Sequence, residues 1–597
     1  MKKNTLYLLF ALITSLNATA QFNFQRSWGT YFADERFYFT DSAIDSSGNL
    51  YILGTIEGSN IANLPVFTNA SSYHPTYGGG TSDGFLVKIN PAGAIVWGTY
   101  LGGENAEKVM AIDIDKFDKI YVIGDTNSTT NISTIGSFQP ALAGGTDLFI
   151  SKFNDNGSII WSTYYGGINN DYNALEIYSF TGFPKRTHIT IDDFGNFYIA
   201  ATSESLNLST TGVFQEIKGN SSQIIAKFTE NGIRLWATYY GLNTYINCIK
   251  ANNTNVYISG ITLDCPPNNS YNTYYGTSNG FQPLPSNCRE IFLSSFNSVN
   301  GQRDWSTYYG GNSSDLVNSN SISLKDNKIY LAGRSGCYSN QEIATNGTFQ
   351  SNCSGASTFI AQFNSDGTRN WGTYNGNSAQ NSYGSSASNV IVDSDNNFYT
   401  FGDTGLIDIA TPLSFKETLT NDFSGDGFIC KFSNQNTKLW GTYYGGESIE
   451  SNVRFHSYDG GNKFYILGRT LSMTGIGTSN GLFPTKQLFD TSNNTPQSVF
   501  NTFIGHFEPN PLSNPTFLEN QITIYPIPNN GTFTIIINNS NNDNYSLELY
   551  DLVGKKLMEQ KLNTTETTIK TENLSKGIYL ATINYTNGKI TKKIVIE

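Results

Sequence analysis

Apolar residues in this chain come in short runs bounded by Gly, Asn, Asp or Ser, and many runs alternate with polar positions. Such spacing puts successive side chains on opposite faces of an extended backbone, and it predicts β-strands. The runs sort into three phrases. One opens on tryptophan: Trp28 (WGTYF), Trp97 (WGTYLGG), Trp161 (WSTYYGG), Trp236 (WATYYGL), Trp305 (WSTYYGG), Trp371 (WGTYNGN) and Trp440 (WGTYYGG), at intervals of 69, 64, 75, 69, 66 and 69 residues. A second reads LYILG (50–54), IYVIG (120–124), FYIAA (197–201), VYISG (256–260), IYLAG (329–333), FYTFG (398–402) and FYILG (464–468). A third reads FLVKI (85–89), FISKF (149–153), IIAKF (224–228), FLSSF (292–296), FIAQF (359–363), FICKF (428–432) and FIGHF (503–507).

A fourth strand precedes the YILG-type phrase, as in Val109 to Asp115 (VMAIDID) and His188 to Asp192 (HITID). Each unit therefore holds strands A, B, C and D. Asp45-Ser46-Ser47-Gly48-Asn49 typifies the A–B turns and Asn154-Asp155-Asn156-Gly157 the C–D turns. Both are hairpin chemistries. A lone four-stranded sheet cannot cover both its faces; stacked radially, such sheets cover one another. The expectation is an all-β chain whose main body is a seven-bladed β-propeller. The first WGTY phrase has no C strand ahead of it and the last C phrase no D strand after it. The N-terminal strand, about 26–32, is expected to close blade seven as its outer strand, removing two exposed edges. A linear solenoid, the alternative, leaves those half-units unpaired.

Composition narrows the setting. Aromatic and charged residues each make up 14% of the 597 residues, which suits β-structure and excludes a coiled coil. Net charge is −12. Residues 1–20 hold Lys2 and Lys3 without an acid, and residues 518–597 balance eight lysines against eight acids. The negative charge thus sits on the body, and no basic run offers a nucleic-acid or anionic-lipid surface. No run reaches the ~18 apolar residues of a membrane-spanning helix. Lys2 and Lys3, the apolar stretch Leu6 to Leu16 and Ala18-Thr19-Ala20 read as a signal peptide cleaved before Gln21; a buried first helix is the other reading. In an exported chain, six cysteines invite disulfides. Cys265 with Cys288 and Cys337 with Cys353 are the expected loop staples, whereas Cys248 and Cys430 lie inside strand patterns as small buried hydrophobes. A zinc site is the rival reading, without CxxC or HxxxH spacing to support it. No metal or cofactor is expected.

The phrase running from Phe138-Gln139-Pro140 through Gly166-Gly167 resembles the SBBP-type bacterial β-propeller repeat, and the likeness recurs over roughly residues 22–508. It implies a propeller and no particular activity. Units four, five and seven depart from it where Gly-Gly before strand C is replaced. A Pro-rich linker, 509–517, leads to 518–597, where six or seven short strands suggest a small β-sandwich. This segment resembles the type IX secretion C-terminal sorting domain through Tyr525, Pro526, Pro528, Gly531 and Phe533, then Asp551, Gly554 and Lys555, then Gly577 and Tyr579, and the terminal Lys592-Lys593-Ile594-Val595-Ile596. Ile527 departs from the family's usual Asn. The resemblance implies the type IX machinery as partner, passage through the outer membrane of a Gram-negative cell, and release or surface attachment. A generic sandwich module is the alternative.

No catalytic signature is read from the sequence: HExxH and phosphate-binding loops do not occur, and the two GTSNG strings, 276–280 and 477–481, lie in turn-rich stretches of an all-β chain and not at a strand-to-helix nucleophile elbow. His74, His188, His456 and His506 lie in different units. The calcium-like Asp393-Ser394-Asp395-Asn396-Asn397 lacks the Gly and Glu such a loop needs and occupies an A–B turn slot. Asp83, Asp147 and Asp426 recur before strand C and so serve the blade, because one active site must break the repeat. In a meander the long, irregular B–C and D–A connections share one face, where function concentrates. Tyr271, Tyr274, Tyr275 and Tyr338 on those loops are the candidate binding residues, against the reading that they pack the loops. The expected function is binding or adhesion at the cell surface, with a glycan or a surface protein as ligand. A polysaccharide-acting hydrolase or lyase is the alternative, and a structural surface component a third.

Overall fold

The computed structural model describes residues 22–32, 36–57, 68, 72–171, 187–219, 223–241, 244–262, 274–286, 289–311, 315–336, 343–353, 355–377, 389–420, 425–486, 500–510, 522–537, 545–552, 554–562, 564–571, 573–585 and 588–597. The chain divides into two compact units: Arg26–Phe507 forms the body of the first, and Glu508–Glu597, grouped with Asn23–Gln25, the second. The expected signal peptide lies outside the described residues. Among those described, no helix is long and apolar enough to cross a membrane.

The first unit consists of seven antiparallel sheets built in the order A-B-C-D, with the A position of blade five divided between two short strands, Asp315–Leu316 and Ile322–Lys325. Blade one is Phe37–Ile44, Leu50–Glu57, Ser82–Ile89 and Ile95–Leu101, and blade two is Glu107–Ile114, Ile120–Thr126, Asp147–Phe153 and Ile159–Tyr165. Blade seven takes A, B and C from Glu450–Tyr458, Lys463–Thr470 and Asn501–Pro509, and its outer strand is Phe24–Phe32 from the chain's N-terminal end. Ring closure is therefore as the phrase count implies. The only element besides strands in this unit is a single 3-10 turn, Asp459–Gly461, among the described residues.

The tryptophans explain their own recurrence. Five indoles donate across a blade junction to a carbonyl in the next blade's C–D turn: Trp28 to Pro91 (2.9 Å), Trp97 to Asp155 (2.9 Å), Trp161 to Glu230 (3.1 Å), Trp236 to Ser298 (3.0 Å) and Trp305 to Ser365 (2.7 Å). A buried indole N–H needs such an acceptor. The ring lies against the glycine of that turn: Gly157 has φ +83°, and a methyl added to it would meet Trp97 at 2.9 Å. Only glycine meets both demands. In blades one to three the strand-C lysine shares the acceptor, as Lys227 does at Ser298 (3.0 Å), and crosses the B-strand tyrosine ring, Lys227 to Tyr198 at 5.1 Å.

The A–B turn acids complete the layer. Asp45 Oδ1 accepts the N–H groups of Ser47 and Asn49, and Oδ2 pairs with Lys88 at 3.1 Å. Asp393 repeats the arrangement, accepting from Asp395 (3.0 Å) and Asn397 (2.9 Å) and pairing with Lys431 at 3.3 Å. The calcium-like stretch is a turn.

The long B–C connections are less irregular than their sequences. In every blade one of them runs back along outer strand D: Tyr31 N–H donates to Phe483 O, Tyr100 to His74, Tyr164 to Gln139, Tyr239 to Gln215, Tyr308 to Gln282, Tyr374 to Gln350 and Tyr443 to Lys416. Each loop thereby covers an edge that would otherwise invite pairing with another chain.

Cys248 and Cys430 are free and buried. Cys353 is disulfide-bonded; Cys265, Cys288 and Cys337 fall outside the described residues, so both pairings stay expectations. The second unit holds a three-stranded sheet (Ile522–Tyr525, Thr532–Ile537, Glu566–Lys570) and a four-stranded sheet (Lys556–Leu562, Tyr545–Tyr550, Gly577–Tyr585, Gly588–Ile596). Phe533, Ile535, Leu547, Leu549, Ile569, Ile583 and Ile594 fill one shared core. The resemblance residues serve this frame. Phe533 is fully buried, Tyr579 donates to Ser575 O at 2.6 Å, and Asp551 Oδ1 takes the Lys555 N–H at 2.9 Å across a turn whose Gly554 has φ +86°.

Candidate functional site

The seven inner strands surround a central cavity of about 430 Å³, a volume suited to a small ligand. Its wall comes from strand A of every blade, so it is where the repeat meets itself. Opposite the B-strand tyrosines Tyr51, Tyr121, Tyr198, Tyr257, Tyr330, Tyr399 and Tyr465, strand A carries Ala43, Asp113, Thr190, Lys250, Ser323, Ile391 and His456. All seven of these partners line the cavity. One register position thus holds the same residue seven times on strand B and seven different residues on strand A.

Asp41 and Arg454 add a second pair of charges. The Arg454 guanidinium pairs with Asp41 Oδ1 at 3.4 Å and donates to Ser319 Oγ at 2.9 Å, while the Ile112 N–H donates to Asp41 Oδ2 at 3.3 Å. Burial raises the Asp113 carboxyl above its ordinary range, with Lys250 pulling the other way. Burial disfavours the Lys250 ammonium, but Asp113, followed by Cys248 and Asp41, outweighs that and the net shift is upward. His456 is driven down to about 3 by burial and by Arg454 and Lys250, so its ring is neutral near pH 7 and shares a hydrogen bond with Ser42 Oγ at 2.8 Å. The cavity therefore presents two cations and two carboxyl groups among hydroxyls and two imidazoles.

The residues singled out on the loops behave differently. Tyr271 and Tyr338 lie outside the described residues. Tyr275 is fully buried, stacked on Phe292 at 4.7 Å. Tyr274 is half-buried against Phe214 and Tyr240; its hydroxyl donates to Gln215 Oε1 at 2.6 Å and accepts from Gly241 N–H at 3.2 Å. Both rings are used in packing the junction of blades three and four. Of the histidines, His74 stacks on Tyr73 in a loop, His506 is held neutral by burial between Ser27 Oγ and Tyr458 OH, each at 2.6 Å, and His188 and His456 reach the cavity. Among the described residues no group of three or more His, Cys, Asp or Glu side chains is placed to hold a metal ion. The channel charges escaped sequence reading because they come from strands 72 to 413 residues apart. Aligning the A strands on the B-strand tyrosines would have exposed them.

Residues 523–597 match the secretion system C-terminal sorting domain. The protein is exported to the outer cell surface or beyond it. That domain implies contact with the type IX secretion machinery. No curated protein matches the chain. Similar solved structures include a protein of unknown function from Dyadobacter fermentans (9% identity, 81% of this chain and 99% of that one, TM-score 0.37). Others are a fungal alcohol oxidase in complex with copper (9%, 96% and 99%, 0.37) and polysaccharide lyase Uly1 (9%, 79% and 90%, 0.36). Scores this low carry no argument about this chain's chemistry.

Proposed function

We propose that the exported chain is an SBBP-type propeller that binds a glycan end in its central channel, as a surface-displayed or released recognition protein. One observation carries the reading: a single ring position, opposite an unvarying tyrosine, holds seven different and mostly polar residues. The four channel charges sum to zero, so the site favours a polyhydroxylated, uncharged or zwitterionic ligand over a strongly charged one. Sugar hydroxyls both donate and accept, which matches a wall of carboxyls, cations and hydroxyls. Purified chain would be screened against soluble and insoluble polysaccharides, following protein depletion. Binding lost in Lys250→Ala and Asp113→Asn, but kept in Tyr274→Phe, supports the channel. Binding indifferent to the channel variants refutes it and points to the loop face and a protein or glycan partner there.

A second reading has its own support. Burial raises the Asp113 carboxyl, whereas Asp41 is paired with the Arg454 guanidinium at 3.4 Å; two carboxyl groups in unlike surroundings are what a glycosidase uses. New reducing or unsaturated ends in the same incubations, absent in Asp113→Asn, would establish it.

A further inference from the structure

Four of the seven tryptophan phrases end in Gly-Gly, and those four units differ from the rest in two further ways. Ten residues after the tryptophan stands an acid: Glu107, Asp171, Asp315 or Glu450. An acid also stands at the start of the preceding strand C: Asp83, Asp147, Glu290 or Asp426. In the three units without Gly-Gly the same positions hold Tyr38, Ile246 and Asn381, and Asn501, Ser222 and Ser357. The three features are present together or absent together.

The structure shows why. In each of the four units the two acids meet across a blade junction, and all eight are buried, none more than 1% exposed. They converge on the first glycine. A methyl on Gly102 would lie 2.5 Å from both Asp83 Oδ1 and Glu107 Oε2, and one on Gly445 would collide with Glu450 Oε2 and Asp426 Oδ1. The outer oxygens of the Asp83–Glu107 and Asp426–Glu450 pairs have donors: Gly78 N–H lies 2.5 Å from Asp83 Oδ2, Thr126 Oγ1 donates to Glu107 Oε1 at 2.6 Å, and the Thr470 and Ser472 hydroxyls donate to Glu450 Oε1, each at 2.7 Å. Of the facing oxygens, Glu107 Oε2 takes the Gly103 N–H at 2.9 Å. The facing oxygens Asp83 Oδ1, Asp426 Oδ1 and Glu450 Oε2 are buried without a donor. Two ionised carboxylates cannot face each other in that state, whereas one proton supplies the missing donor and removes one charge.

We propose that the Asp83–Glu107 and Asp426–Glu450 junctions each bind one proton, shared as a carboxylic acid–carboxylate pair, and that Gly-Gly is the backbone that lets the two acids meet. The Asp147–Asp171 and Glu290–Asp315 junctions also bring two acids against the first glycine, but the facing Asp147 Oδ1 and Asp171 Oδ2 already take donors from Gly144, Gly167 and Ser205, so a shared proton is assigned to the other two junctions alone. Tyr77, Tyr100 and Tyr164 face the first pair, and burial shifts all three hydroxyls upward. Around the second stand Tyr31, Tyr443, Tyr444 and Lys416, whose ammonium pairs with Asp426 Oδ2 at 3.0 Å. The ammonium pairs with Asp426 and not with Glu450, so the shared proton of this junction is assigned to Glu450. Burial, reinforced by the partner acid, raises both Asp83 and Glu450, in keeping with the geometry.

The test is thermal unfolding of the full chain from about pH 5 to pH 9, with and without EDTA, for the native sequence, Asp83→Asn and Glu450→Gln. An amide copies the protonated member, so each variant should melt at or above the native temperature at pH 9 and lose that advantage at pH 5, with EDTA inert. Equal losses at both pH values would overturn the proposal in favour of two ionised, hydrogen-bonded carboxylates. Melting lowered by EDTA and restored by calcium would overturn it in favour of a divalent cation. Should either variant fail to fold, infrared spectroscopy of the native chain decides: a protonated-carboxyl band at pH 7 is expected, and its absence refutes the shared proton.

Discussion

The Ser298 carbonyl offers a sharp test of how blades are held together. It accepts from Trp236 Nε1 and from Lys227 Nζ, both at 3.0 Å, and Ser298 is only 1% exposed. Trp236→Phe removes one donor and leaves the other. The lost hydrogen bond should cost about 0.5–1.5 kcal/mol, with a smaller addition for the gap left by the narrower ring. Lys227→Met likewise leaves the indole in place. Its ammonium also acts on Asp192, but that carboxylate keeps the N–H groups of Phe194 and Asn196, each at 2.9 Å, so the single variant should again cost about 1 kcal/mol.

The double variant is different in kind. It strands a buried carbonyl with no donor, and such a group costs about 1–3 kcal/mol on its own. The two single losses should therefore fall short of the double loss by about 1–2 kcal/mol, a coupling well outside the ~0.3–0.5 kcal/mol scatter of independent sites. Urea unfolding of the four proteins, followed by far-ultraviolet circular dichroism, closes the cycle. Strict additivity would refute the claim that one shared acceptor latches blade three to blade four.

Three other outcomes follow from the same structure. Removing residues up to Phe32 leaves blade seven with three strands and Asn501–Pro509 as an open edge, so the chain should lose its cooperative melt or aggregate; a monomeric, cooperatively melting product would contradict the closure. Burial opposes ionisation of Asp45, but Asn49 and Lys88 outweigh it and hold the carboxyl below its ordinary value. Its contribution to stability is therefore present above about pH 4 and lost as pH falls further, so Asp45→Asn should melt below the native chain at neutral pH and converge with it near pH 2. A chain truncated after residue 517 should stay inside the outer membrane, checked by surface proteolysis of intact cells; normal surface delivery would sink the sorting role of 523–597.

The parts of the fold that were legible from residues alone are those in which a single residue type answers a local demand. Tryptophan at a junction, glycine beneath it and aspartate in the A–B turn each recur because each blade poses the same problem. Closure was legible for the same reason, as a phrase without its partner. The B–C connections were not, since what unites them is a backbone bond from strand D to a loop some 25 residues earlier, as from Tyr164 to Gln139, and backbone pairing leaves no composition to read. The loop tyrosines were open to two readings, ligand contact or loop packing, and sequence could not separate them: Tyr275 is buried on Phe292 and Tyr274 half-buried against Phe214 and Tyr240, because each loop has to be packed onto its neighbour.

The candidate site was hidden by a further effect. A repeat scan rewards what recurs, so it finds the residues that build blades and passes over those that do not match. In this chain the divergence is itself ordered: strand B keeps its tyrosine in every blade while the register partner on strand A changes each time. If the channel wall were only packing, seven equivalent positions in seven equivalent blades would be expected to hold similar side chains, as the tyrosines do. Asp113, Lys250 and His456 at equivalent places are not alternative solutions to one packing problem. They make a wall that is asymmetric around a symmetric ring, which is why the ligand proposed for it is one that lacks sevenfold symmetry.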